Sequence, residues 1–406
     1  MTAVMQGVRV LEVAEHTFVP AASALLADWG AEVVKIEHVE RGDAMRGLVS
    51  TGSAAVREDV HVLFQHSNRG KRSLALDLGS PEGREILYAL VARSDVFATN
   101  KLARVRRKLK IDVADVRAHN PGIIYVRGSG QGERGPDGDR GSYDMLGFWA
   151  RAGVGAGVMG ADGTGPVPGP PGPAFGDSIG AMAIAGGVMG ALYHRERTGE
   201  ATVVDVSLLG TGLWAMGQAL ALSLQLGVPW TAPSASSLWA NPLVGNYRTR
   251  DGRWLAFCCL QAGRYWAPLC EAIGRPEAAA DPRFADHDSI MANNEAAIEL
   301  LRETFEARPL AEWRERLAAF PGPWSVIQNI HEAGHDPQTG PNGYVQTVRT
   351  AEGVPFQVAA APVQFDEKPA VPARAPEFNE HGDAILASLG YDQDAILDLK
   401  LRGIVA

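Results

Sequence analysis

Over the first 130 residues, short apolar runs alternate with stretches whose apolar positions recur at helical spacing. By this test Val8–Val13 is a strand, Pro20 to Trp29 a small-residue apolar helix that Gly30 stops, and Val33–Glu37 a second strand. That β-α-β order predicts parallel strands joined by a right-handed crossover. Leu74–Leu78 is the next strand. Ser80-Pro81-Glu82-Gly83 then sets a hydroxyl at the N-cap and proline at the first helical position, so a helix should run to Arg93. A strand over Val96–Thr99, a short helix over Asp112–His119 and a strand over Ile123–Arg127 extend the series. The pattern is that of an open α/β sheet of Rossmann type.

The rhythm then breaks. Gly160 to Gly176 is rich in glycine and proline and has no periodicity, so it reads as a long loop of the kind that often carries function. A long helix over Ser178–Thr198, capped by Gly199, a strand over Thr202–Ser207 and an apolar helix over Leu208–Leu226 follow. From Pro233 the composition shifts. Asn246–Arg250 and Arg253–Phe257 flank Asp251-Gly252 as a hairpin, and helical segments run from Tyr265 to about Phe320. The expected division is a large domain over 1–225, a small α+β domain over 226–335, and a segment 336–406 that returns to the large domain.

Composition narrows the class of partner. A chain of 406 residues with 46% apolar and 21% charged content is long enough for two lobes. The net charge of −9 argues against nucleic acid, so an anionic ligand would need a local basic cluster. No apolar run approaches the roughly 18–20 residues needed to span a bilayer. Glu12 and Glu15 interrupt the first apolar stretch, unlike a secretion signal. Three cysteines, Cys258, Cys259 and Cys270, suit neither a disulfide framework nor a zinc site. The expectation is a cytoplasmic protein without metal or membrane.

Cations come in two bursts, Asn68-Arg69-Gly70-Lys71-Arg72-Ser73 before a strand and Lys101 to Lys110 after one. The second has six cations in ten residues, at the carboxyl end of a strand, where α/β sheets bind ligands. Several convergent cations suit a phosphorylated ligand; a solvated helix face is the plain alternative. Neither GxGxxG nor GxxxxGK[ST] is present, which leaves NAD and ATP unsupported. Asp144, at the mouth of an apolar helical run, and Asp177, just before the long helix, each suit a helix N-terminus as well as a catalytic role.

An ordered set of segments does more than any of them singly: GVRVLEVAEHTFVPAASALLADWGAEVVKIE (7–37), GDAMR (42–46), NRGKRSLALDLGSPEGREIL (68–87), NPGIIYVRGSGQGERGP (120–136), SYD (142–144), GDSIGAMAIAGGVMGALYHRERTGEATVVDVSLL (176–209), YRTRDGRWLAF (247–257), DPRF (281–284), EHGDAILASLGY (380–391) and GIVA (403–406). In this order they resemble the class III acyl-CoA transferases of CaiB/BaiF type over nearly the full chain. The resemblance implies a Rossmann-like large domain built from both termini, a smaller central domain, and a homodimer of interlocked chains. It implies acyl-CoA and a carboxylic acid acceptor as partners, with no cofactor beyond coenzyme A. It also implies a nucleophilic aspartate, matched here to Asp144. That carboxylate would attack the thioester, exchange the resulting anhydride for an aspartyl-CoA thioester, and pass CoA to the acceptor.

The same resemblance implies CoA contacts from His16, Thr17 and Phe18 in the first βα loop, and from His38, Lys71, Arg72, Asn100 and Tyr143. Lys101 and Lys108 match a basic pair seven apart in the carnitine-type enzymes. Two segments depart from the pattern. Asn-Lys-Leu-Ala-Arg replaces the usual Asn-Phe-Arg-Pro-Gly after Asn100. Ser234–Trp239 stands in place of a glycine run, which puts a formyl or oxalyl substrate in question. Phe148, Trp149 and Trp239 suggest either a bulky acyl pocket or core, and Arg151 a partner for a substrate carboxylate or for a core acid. Two other functions fit less well: an α-methylacyl-CoA racemase using Asp177, and a non-catalytic CoA-binding protein. The racemase needs histidine where Tyr143 stands, and a phenol of reference pKa near 10 is a poor base at neutral pH.

Overall fold

The computed structural model describes residues 2–50, 55–56, 59–159, 166–230 and 240–406. The chain divides into two compact units, one of 1–158, 166–230 and 337–406, the other of 159–165 and 231–336.

The larger unit is built on six parallel strands: β1 Arg9–Val13, β2 Glu32–His38, β3 Arg72–Leu76, β4 Val96–Thr99, β5 Ile124–Ser129 and β6 Val203–Ser207. Their order, β3-β2-β1-β4-β5-β6, reverses direction between β1 and β4 and opens a crevice at the carboxyl ends of those strands. The central strands are apolar and buried because helices cover both faces. α1 (Phe18–Asp28) packs on one face in a core with Val10, Val126, Phe148, Trp149, Ile184 and Val188. Below the sheet, Ile86, Leu87 and Val116 share a second core with Ile385, Leu386, Ile404 and Val405, so the C-terminal segment closes the large unit. There Val405 bridges to Leu76 beside β3.

Several elements depart from the periodicity, each for a local reason. α2 (Val62–Asn68) is too short to display helical spacing. α3 (Pro81–Val91) starts as anticipated, with Ser80 Oγ accepting from the Gly83 amide at 2.9 Å. The basic burst folds as α4 (Ala103–Leu109), ended by Lys110 in the left-handed conformation, and α5 (Val113–His119) follows with a capping box on Asp112 and Asp115. Met145–Arg151 winds as a π-helix and leads into one turn, α6 (Val154–Gly157). The long helix, α7 (Phe175–Thr198), begins three residues earlier than expected, so Asp177 lies inside its first turn. The following apolar stretch is two helices, α8 (Leu208–Ala215) and α9 (Gly217–Leu226), that meet at Met216. α7 is also long and apolar enough to cross a membrane by length and composition, which corrects the expectation of no such segment. Here it packs with its small residues, Gly180, Ala181 and Ala185, toward the sheet core.

The smaller unit has a three-stranded antiparallel sheet, β7 (Val244–Arg248), β8 (Trp254–Cys258) and β9 (Trp324–Val326), and a core of its own around Phe257, Trp266, Phe305 and Trp313. Gly252 takes the positive φ (77°) that the hairpin turn requires. The Ser234–Trp239 segment lies outside the described residues.

Candidate active site

The crevice at the strand reversal holds two cavities, of about 340 and 380 Å³, that share Glu15, Lys101 and Val105. The first is walled by His16, Phe18, Asn100, Gly128–Gly130, Tyr143, Leu208 and Asp177. The second runs past the tips of β2 and β3 and collects His38, Arg41, Asp77, Gly79 and Lys108. Parallel strands deliver all these side chains to one edge because their carboxyl ends coincide.

The loop after β1 is pinned from both sides. The Asn100 amide brackets the Glu15 backbone, its Oδ1 accepting from Glu15 N (3.2 Å) and its Nδ2 donating to Glu15 O (2.7 Å). Asn100 thus shapes the loop as well as lining the crevice. Next comes His16, a non-glycine residue at φ 66°, whose ring meets Tyr143 edge-on at 5.6 Å between centroids. Phe18 packs over Gly180, where a Cβ would collide with its ring, and a Cβ at Gly128 would collide with Val19 Cγ2, so both glycines are sterically required. Thr17 is buried at the start of α1 and does not line the crevice.

The six cations of the 101–110 burst separate by direction. Lys101 and Lys108 face the crevice, Lys101 paired with Glu15 at 2.9 Å. Arg106 turns inward instead. Its buried guanidinium holds Glu133 through both nitrogens (2.6 and 3.2 Å) and donates to Lys101 O at 2.9 Å. Arg104 and Arg107 lie beside Asp139 at the surface.

Lys71 and Arg72 depart from the expected CoA contact. Lys71 Nζ is buried against Glu12 Oε2 (2.7 Å), Pro20 O (2.8 Å) and Asn68 Oδ1 (3.0 Å), which uses its three N–H donors. Arg72 opens β3 half-buried, where its charge, among others, depresses the His381 imidazole; burial is the larger cause. Neither lines the crevice. Sequence spacing could not reveal this, since a strand's first residues face either way until the sheet is assembled.

Asp144 and Asp177 come together. Asp144 does not cap its own helix. Its carboxylate faces the N-terminus of α7, where the amides of Phe175, Gly176 and Asp177 precede the first helical hydrogen bond, Ser178 N to Ala174 O. Gly176 has to be glycine there, because a Cβ would overlap both Asp144 Oδ1 and the Phe148 ring. Burial pushes the Asp144 acid upward against the pull of those amides, none of which makes a well-formed hydrogen bond to the covered Oδ1. Asp177 rises further, to about 7, through burial first and the Asp144 charge second. Asp177 lines the first cavity and Asp144 does not.

Of the other carboxylates along that cavity, Glu15 is held by Lys101 and Glu133 by Arg106 and Arg127. Among the described residues no cation reaches Asp177. Phe148 and Trp149 are buried in the core, Trp149 Nε1 donating to Pro168 O at 3.1 Å, and Arg151 is engaged by Asp137 at 2.5 Å. Trp239 lies outside the described residues. No group of three His, Cys, Asp or Glu side chains that could hold a metal ion occurs among the described residues.

Known proteins share this architecture. Residues 5–382 match the family described as CoA-transferase family III. The chain is 30% identical over 404 residues, 99% of each sequence, to (R)-2-hydroxy-4-methylpentanoate CoA-transferase of Clostridioides difficile. It is 32% identical to succinyl-CoA:mesaconate CoA-transferase of Haloarcula hispanica, over 95% of this chain and 96% of that one. Among solved structures, a CaiB/BaiF family protein from Brucella suis superposes with a TM-score of 0.79 at 27% identity, covering 96% of this chain and all of the other.

Proposed function

This chain belongs to CoA-transferase family III and is a CoA-transferase, and we propose that it moves CoA between carboxylic acids through covalent intermediates on Asp177. One observation carries the assignment: Asp177 is the carboxylate of the first cavity left without a cationic partner among the described residues. The sequence match put this role on Asp144. Asp144 Oδ1 is covered by Gly176 and lies off the cavity wall, so it serves better as the neighbour that raises Asp177. A carboxylate of higher pKa is more basic and, once ionised, a stronger nucleophile.

In the proposed cycle, Asp177 attacks the thioester carbonyl and the C–S bond breaks, giving an acyl-aspartyl anhydride and CoA thiolate. The thiolate then attacks the aspartyl carbonyl, expelling the donor carboxylate and leaving an aspartyl-CoA thioester. The acceptor carboxylate attacks that thioester, breaking its C–S bond and expelling CoA thiolate, and forms a second anhydride. CoA thiolate reopens it at the acceptor's carbonyl, restoring Asp177 and releasing the new acyl-CoA. The family needs no cofactor beyond the CoA thioester. Lys101, Lys108, His38 and Arg41 along the second cavity suit the phosphates and nucleotide of CoA.

Near Asp177 the cavity adds Phe18, Leu102, Val105 and Leu208, and its one lysine is already paired with Glu15. This favours an apolar monocarboxylic acyl group over a diacid. The interlocked homodimer is supported by the uncovered apolar faces of α7 to α9: Trp214 is 86% exposed and α9 buries no residue. Free cysteines at 258, 259 and 270 agree with a reducing, cytoplasmic setting.

The test is chemical trapping. Protein incubated with an acyl-CoA and quenched with hydroxylamine or borohydride should carry its modification at Asp177, read by peptide mass spectrometry. Modification at Asp144 instead would return the nucleophile to that residue. No modification by an acyl-CoA that undergoes α-proton exchange would sink the transfer mechanism.

A further inference from the structure

A chain of buried charges lies beneath the β1–α1 loop, takes no part in the transfer chemistry, and ends on the crevice. Lys71 Nζ holds Glu12 Oε2 at 2.7 Å, Glu12 Oε1 holds Lys35 Nζ at 2.8 Å, and Lys35 Nζ lies 2.7 Å from Asp43 Oδ2. The Lys35 ammonium also donates to Ala14 O at 2.9 Å, at the foot of the loop. These side chains are all buried. Desolvating so many charges is expensive, and truncating any one leaves its neighbour uncompensated.

The last member, Asp43, spends its other oxygen on two amides. Oδ1 accepts from Met45 N at 2.9 Å, which caps the short turn Ala44–Gly47, and from His16 N at 3.0 Å, 27 residues away. The turn explains the first bond and has no use for the second. His16 is the loop residue at φ 66°, a conformation that costs an L side chain energy and persists only where its surroundings enforce it. Its imidazole, so held, forms the crevice wall with Tyr143 and Asp177.

We propose that Asp43 is a positioning residue for CoA transfer: by accepting the His16 amide it holds that backbone left-handed, so that the imidazole walls the cavity against Tyr143. Lys35, clamped between Asp43 and Glu12, fixes the carboxylate that does so. The proposal rests on the transfer reading only for its readout.

A double-mutant cycle in kcat/KM for acyl-CoA tests it, with Asp43→Ala, which removes the acceptor that Asn would keep, His16→Gly and the pair. His16→Gly removes the ring and the cost of the left-handed backbone together. Asp43→Ala alone should lower kcat/KM roughly 10- to 100-fold, the loss expected when a site wall shifts by about 1 Å. In the His16→Gly background the same change should cost less than about twofold, as coupled residues require. Equal factors in both backgrounds, or no loss from Asp43→Ala alone, would overturn the proposal. Should Asp43→Ala fail to fold, amide exchange on the wild-type protein decides: the His16 amide should be protected, and exchange at the free-peptide rate would refute the bond. Trapping on the wild-type protein separates the two ideas. Failure to label Asp177 would count against the transfer mechanism, while non-additivity between Asp43 and His16 would still stand.

Discussion

At the scale of single residues, the pair Asp144–Asp177 governs behaviour with pH. Transfer needs Asp177 ionised, so kcat/KM should rise with pH through about 7, its raised value. Asp144→Asn removes the neighbouring charge and should move that limb to lower pH in a pH–rate profile. Stability runs the other way. A carboxyl whose folded pKa lies above its unfolded one favours the folded state below the unfolded value, and that contribution is lost as pH rises through about 7. Asp177→Asn should therefore be more stable than the wild type at pH 8, by roughly 1–3 kcal/mol in denaturant melts, while losing transfer. Gly176→Ala has the opposite character. Its methyl would overlap Asp144 Oδ1 and the Phe148 ring, and overpacking of this kind costs about 1–3 kcal/mol. Activity should fall with it, because the two aspartates are held at that contact.

At the scale of elements, α4 owes its placement to one buried guanidinium. Arg106 ties the helix to Glu133 and to the carbonyl of Lys101, so Arg106→Met strands Glu133 without its main partner. Breaking a buried pair this way costs about 3–5 kcal/mol. A thermal melt would read that loss, and KM for acyl-CoA should rise as Lys101 loosens, with a smaller change in kcat. The N-terminus of α7 illustrates a subtler point. The helix starts at Phe175 without a capping side chain of its own, and the Asp144 carboxylate faces the free amides instead. The sequence offers a helix cap as the plain reading of Asp144, but the helix whose amides its carboxylate faces is not its own and begins 31 residues further on, at Phe175.

For the whole molecule, the apolar faces of α7, α8 and α9 set the expectation. Trp214, Leu224 and Leu226 are all exposed on these helices, and large apolar side chains left open close together mark an interaction surface. Light scattering should report a dimer, and Trp214→Glu combined with Leu224→Glu should shift it toward the monomer. A dimer that survives both changes would move the interface elsewhere.

The sequence alone determined the strand–helix alternation of the large unit, the cap at Ser80, the hairpin at Gly252 and the family, since these depend on local periodicity, on turn chemistry or on the order of motifs. It also named both aspartates. Only the tertiary structure decided which cations meet the crevice and which carboxylate has access to it. Lys71 and Lys101 are equally basic on paper, yet one has its donors used up by Glu12, Pro20 and Asn68 while the other lines the cavity. Spacing cannot express this difference, because direction in a parallel sheet is set by strands distant in sequence. The same holds for Asp144 and Asp177: their separation along the chain is long, and the bare Gly176 backbone is what brings one against the other.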